Sequence, residues 1–139
     1  MTQTAIFWPM IAHVALVVVL YALLATRRSA AVRAGRAKMS QFRENLNEPT
    51  DSLFVRNCLA NQFELPVLFH AACLALHVTG GDGAWAVAVA WLFALSRCVH
   101  AAIHVTSNRI RQRQPAFAIG FVALIVLWAM LAIRILTVG

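Results

Sequence analysis

Four apolar runs, at about 5–25, 53–79, 84–107 and 115–138, take up most of this 139-residue chain. A hydrocarbon core of ~30 Å is crossed by about 20 helical residues, and each run reaches that length. Inside lipid the backbone must satisfy its own hydrogen bonds, and no alternating strand pattern competes with helices. The expectation is an all-α integral membrane protein, one four-transmembrane-helix bundle spanning residues 1–139. Composition agrees: 61% of residues are hydrophobic and 12% charged, more apolar surface than a small soluble domain can cover.

The basic residues orient the bundle. Nine of the twelve Lys and Arg side chains lie in two connections: six between Arg27 and Arg43, and the other three at Arg109, Arg111 and Arg113. The Gly80–Gly83 turn has none. The positive-inside rule then makes both basic connections cytoplasmic, with the termini and the glycine turn on the opposite side, as in a bacterial inner membrane. The first run has no basic residue before it and Arg27-Arg28 directly after it, the wrong polarity for a cleaved leader, so it is expected to remain in the mature protein. The net charge of +7 reads as topology and contact with anionic lipid, not as nucleic-acid binding, because no base-stacking aromatics accompany the arginines.

Local signals suggest boundaries. Thr50 and Asp51 can cap the second helix, Pro115 suits the first turn of the fourth, and the glycines allow a tight hairpin. Trp8, Trp85 and Arg134 read as interface anchors. His13, His70 and His77 read as hydrogen-bonded packing residues, and Cys58, Cys73 and Cys98, which form no C-x-x-C, as small apolar packing. Gly120 allows close helix approach.

Two runs carry polar residues where lipid should exclude them. Asn57, Asn61 and Glu64 recur at helical spacing in the second, and Arg97, His100 and His104 in the third, so each set forms one stripe. If the two helices are antiparallel neighbours, equal depth pairs Glu64 with Arg97, Asn61 with His100 and Asn57 with His104. Glu64 lies roughly 16 Å past Leu53 and Arg97 roughly 15 Å before Ser107 at 1.5 Å per residue, near mid-bilayer. A lone charge there costs ~2.5–3.5 kcal/mol, so the expectation is a Glu64–Arg97 ion pair. Pro66 leaves the Gln62 carbonyl without its helical donor. The stripe continues through Asn108 toward Arg109, Arg111 and Arg113, a mouth suited to an anion.

With these residues in place the chain resembles the membrane-associated proteins in eicosanoid and glutathione metabolism (MAPEG) over essentially its whole length, as a bacterial-type member. The resemblance rests on Asn61, Glu64 and Pro66 in the second helix and on Arg97, His100 and His104 followed by Arg109 and Arg113. It implies a homotrimer in the lipid bilayer with a cytosol-facing inter-subunit site for glutathione or a similar anionic thiol. It also implies attack on a lipophilic electrophile or peroxide. Asn61, Glu64, Arg97 and His100 fall on glutathione-pocket positions, and Arg113 on the arginine credited with activating the thiol. Asn57, His104 and Arg109 complete the expected ligand-binding set. The chain departs from the pattern at Asn57, where an arginine is usual, and at Leu65 and His104, where tyrosines are usual. Two other classes stay open: a non-catalytic structural subunit of a membrane complex, and a metal or haem protein using His100 and His104.

Overall fold

The computed structural model describes residues 4–44 and 47–138, and all regular structure among them is helical. The helices are α1 (Phe7–Arg33), α2 (Met39–Glu44), α3 (Thr50–Ala60), α4 (Leu65–Val78), α5 (Ala84–Val105) and α6 (Ile110–Val138), with a 3-10 turn over Asn61–Phe63 between α3 and α4. Counting α3 through α4 as one broken span, four segments are long and apolar enough to cross a membrane.

Each boundary moves for a physical reason. Helix α1 runs beyond the expected 25 because charge ends an apolar span without ending a helix. Arg27 Nη1 donates to the carbonyls of Asp51 (2.7 Å) and Val105 (3.0 Å), and Arg28 grips Glu48 through Nε (2.8 Å) and Nη2 (3.0 Å). The second span starts at Thr50, with Pro49 at the cap position; the Pro49 carbonyl accepts from the Ser52 and Leu53 amides and the Ser52 hydroxyl, and of the two expected caps only Asp51 serves the first turn, its Oδ1 accepting from the Ser52 amide at 3.1 Å. Pro115, expected in the first turn of the fourth helix, lies inside α6, which begins at Ile110.

The largest departure is in the middle of the second span. Glu64 takes φ −96°, ψ −106°, outside the helical region, in keeping with the pressure of Pro66 on the preceding turn. The span is two helices in series, and the backbone between them is free to bond elsewhere.

Arg27 ties the ends of α1 and α5 to the start of α3, while Arg134 Nε donates to the Thr79 carbonyl at 3.0 Å and Phe7 lies edge-on to His77. The four spans therefore run up and down, with a basic end and a glycine end. Arg134 fills an orphan acceptor at the α4 terminus instead of only snorkelling. Gly80, at φ +68°, makes that terminus' left-handed turn, and the Gly81 amide reaches back to the Leu76 carbonyl at 2.7 Å.

Two apolar clusters hold the bundle. One, toward the glycine end, joins Phe69, Leu76, Phe93, Leu124 and Leu127; the other, toward the basic end, joins Leu20, Leu24, Val55, Leu59 and Ala101. Helix α5 is a neighbour of the second span, as the short glycine turn expected, but packs most extensively on α6. Small residues decide this: Ala116, Gly120 and Ala123 are buried along one face of α6, and a Cβ on Gly120 would sit 2.5 Å from Ser96 Oγ.

Candidate functional site

The broken span shapes a polar cleft at the basic end of the bundle. A groove of about 500 Å³ is lined by Asn57, Asn61, Glu64, His104, Asn108 and Arg113, together with Phe54 and Ala60. It adjoins a smaller hollow of about 210 Å³ between Asn61, His100, Arg113, Gln114 and Phe117. Arg113 and Asn61 line both. Arg113 is aimed by the α5–α6 turn: Asn108 adopts φ 47°, and its Oδ1 accepts from Arg113 Nη1 at 2.6 Å. Asn tolerates this left-handed geometry better than most residues.

Six of the eight expected site residues, Asn57, Asn61, Glu64, His100, His104 and Arg113, are thus brought together. Arg97 sits behind them, 1% exposed. Arg109 lies apart, with Arg111, around a separate hollow on the α5–α6 turn. The basic mouth expected from Arg109 and Arg113 together is therefore divided: Arg113 is drawn into the cleft by Asn108, while Arg109 lines the hollow on the turn.

The pairwise ladder does not form. No carboxylate lies within 4.0 Å of Arg97 among the described residues, and Glu64 is exposed in the single chain. The helix break accompanies this: Glu64 is out of helical conformation, and its side chain lines the open cleft with Asn57 and Asn61 without reaching Arg97. Arg97 Nη2 instead donates to the freed Asn61 carbonyl at 3.2 Å and to Gln62 Oε1 at 3.5 Å, and the guanidinium lies 5.9 Å from the Phe117 ring centroid. Pro66 pointed to a free acceptor in this turn; the one Arg97 takes is one residue earlier. The Asn61 side chain turns back to the Asn57 carbonyl (2.9 Å), so it faces His100 across the hollow without bonding it. Arg56, beside Asn57, bonds Asn57 Oδ1 at 3.4 Å and pairs with Glu48 at 3.7 Å, which directs it to the basic connection.

Among the described residues, three buried side-chain polar atoms have no partner: Arg97 Nε, His100 Nδ1 and His104 Nδ1, all on one stripe of α5. Buried polar atoms are nearly always satisfied, so a run of three is a signature of something that belongs there. His100 and His104 stand with ring centroids 5.6 Å apart, but no group of three or more metal-ligating His, Cys, Asp or Glu side chains forms among the described residues.

Sequence reading missed Gln62. It is 2% exposed, accepts from Arg97, lies against His13 Nε2 at 3.2 Å and donates to the Cys58 carbonyl at 2.9 Å. Its position next to Asn61 puts it about 100° off the stripe on a regular helix. The available signal was its place four residues before Pro66.

No curated protein and no solved structure matches the chain. A family model does, over residues 5–133, nearly the whole length. Four membrane-length helices, the broken second span and the Arg97–His100–His104 stripe stand within that match, and the chain belongs to the MAPEG family.

Proposed function

We propose that this MAPEG protein binds glutathione, or a closely similar anionic thiol, in the cleft between Asn57, Asn61, Glu64, His100, His104 and Arg113, and lets it act on a lipophilic partner drawn from the bilayer: its sulfur adds to an electrophile to form a conjugate, or two thiols reduce a peroxide to the alcohol and water and leave as the disulfide. The observation that carries this reading is Arg97: a fully buried guanidinium with no carboxylate partner and an unbonded Nε, beside two imidazoles with unbonded Nδ1 atoms. A buried cation without an anion is expensive, and an anionic ligand in the adjoining cleft supplies the missing charge.

Glutathione offers two carboxylates and a thiol of ordinary pKa near ~8.5. Arg113, the cation common to both hollows, clamps a carboxylate or favours the thiolate; Asn57 and Asn61 offer amide contacts; Arg97 supplies positive field from behind. The basic end is the cytoplasmic one, so the water-soluble thiol enters there and the lipophilic partner enters laterally. Asn57, Leu65 and His104 stand where the family pattern has an arginine and two tyrosines. They support a second reading, a non-catalytic membrane subunit that keeps the fold.

Isothermal titration of detergent-purified protein with glutathione tests both. Saturable binding is expected, weakened about 10- to 100-fold in Arg113→Leu, the scale of one lost charge-assisted contact of ~1.5–3 kcal/mol, and only partly restored in Arg113→Lys. Equal binding by the parent, Arg113→Leu and Arg97→Leu overturns the cleft as the site, and no binding at all favours the structural subunit.

A further inference from the structure

On the other side of Gln62 from the cleft, α1 packs on α3 and α5 but touches α4 only sparsely, which leaves a groove open to the lipid. Two adjoining hollows, of about 390 and 410 Å³, share Val14 and His70. Phe7, Met10, Ile11, Val14 and Val17 line them from one face of α1, opposite Phe63 and Val67. That face covers about 15 Å at 1.5 Å per residue.

The groove is apolar except at its floor, where hydrogen-bond accounting fixes one atom's role. Gln62 Nε2 donates to the Cys58 carbonyl, so Gln62 Oε1 is the atom facing both Arg97 Nη2 and His13 Nε2. A carbonyl oxygen only accepts, and therefore His13 Nε2 carries hydrogen. A second cation sharing that acceptor with Arg97 inside the bundle is unfavourable, so the His13 ring is neutral and its Nδ1 accepts. His70 Nε2, 3.1 Å away, must then be the donor. A charge on His70 would face the same low-dielectric surroundings with no carboxylate partner among the described residues, so this ring too is neutral, and its remaining nitrogen, Nδ1, is left as a bare acceptor with no hydrogen-bond partner among the described residues, on a half-buried ring that lines both hollows. In water such an acceptor is satisfied at once; acyl chains of lipid have nothing to donate.

We propose that this groove binds a single-chain neutral amphiphile through its O–H group, which donates to His70 Nδ1 while the chain lies along the Phe7–Val17 face of α1. The chemistry is that of one hydroxyl donor on an apolar chain, shared by a long-chain alcohol and an undissociated fatty acid. An ether offers only acceptors and an ionised carboxylate adds charge, so neither fits. The site is separate from the cleft and does not depend on thiol binding there.

The test is nitrogen NMR of bilayer-embedded protein carrying ¹⁵N-histidine, with the His70 signals assigned by their loss in His70→Gln. Dodecan-1-ol is expected to shift the His70 Nδ1 resonance upfield and saturably, while 1-methoxydodecane leaves it in place. Dodecanoic acid is expected to act only at a pH low enough to protonate it; if it alone acts, the natural ligand is the acid, and if the alcohol acts, a lipid alcohol qualifies. Val14→Trp, which fills the groove, should abolish the shift while the His13 signals persist. The proposal is overturned by an equal shift from the ether, by a shift that survives Val14→Trp, by no saturable shift, or by efficient cross-linking between copies of Val14→Cys, which would make a second copy the occupant.

Discussion

Arg97 has the largest side chain among the fully buried residues, yet it bonds to neutral oxygens: a main-chain carbonyl released by a helix break and one glutamine amide. Charge and partner are therefore uncoupled, and this changes what mutation should do. Glu64 and Arg97 form no ion pair, so the coupling between Glu64→Gln and Arg97→Gln in thermal unfolding should stay well below the ~3–5 kcal/mol of a broken buried pair; a double mutant more stable than either single would restore the ion pair. Glu48 is the opposite case. Burial alone raises its pKa, but the hydrogen bonds from Arg28 and the charges of Arg28 and Arg56 outweigh that and hold it below the ordinary value of 4.5. A folded-state value below the unfolded one adds stability above 4.5 and loses it as the pH falls through the folded value. Glu48→Gln should thus be less stable than the parent at pH 7, and the difference should shrink as the pH falls below 4.5. Unfolding in detergent across that range checks it; a constant difference would mean that the ionised carboxylate contributes nothing.

Among the elements, α6 is the one whose seat depends most on absent atoms. A Cβ on Gly120 would stand 2.5 Å from Ser96 Oγ, and that hydroxyl is itself tied to the Phe93 carbonyl at 2.7 Å, so it cannot easily move aside. Gly120→Ala should destabilise by about 1–3 kcal/mol through overpacking, and Ser96→Ala in the same chain should recover most of it. A double mutant no better than Gly120→Ala would show that the close approach is not what fixes α6. Gly120 was legible in the sequence as a close-packing position, but its partner was not, because helical periodicity tells which residues share a face and says nothing of which helix the face meets. The second span shows the same limit: Asn57, Asn61 and Glu64 lie on one stripe only while the helix is regular, and the break at Glu64 hands the interior position to Gln62 instead.

For the molecule as a whole, the single chain leaves Glu64 and Asn57 exposed on a segment that belongs inside a bilayer. A carboxylate facing lipid at that depth is disfavoured by several kcal/mol, and the same cleft is where the proposed ligand enters. We expect neighbouring copies to cover this face in a homotrimer. Native mass spectrometry from mild detergent should give the trimer, and only monomers or dimers would remove the inter-subunit site from consideration.

The number of spans, their approximate places, the polar stripe on α5 and the membership of the family were all legible in the amino-acid order. Transfer free energy is close to additive along a run of residues, and motif spacing survives whatever the neighbours do. Tertiary structure alone decided that Arg97 binds the Asn61 carbonyl and Gln62, that α6 and not the second span is the main neighbour of α5, that Arg109 stands outside the cleft, and that the partners of His13 are Gln62 and His70. Each of these turns on a direction in space, set by one non-helical residue at Glu64, a left-handed one at Asn108 and a missing side chain at Gly120. Such directions arise only when helices pack, because the energy that selects them belongs to pairs of residues far apart in the chain.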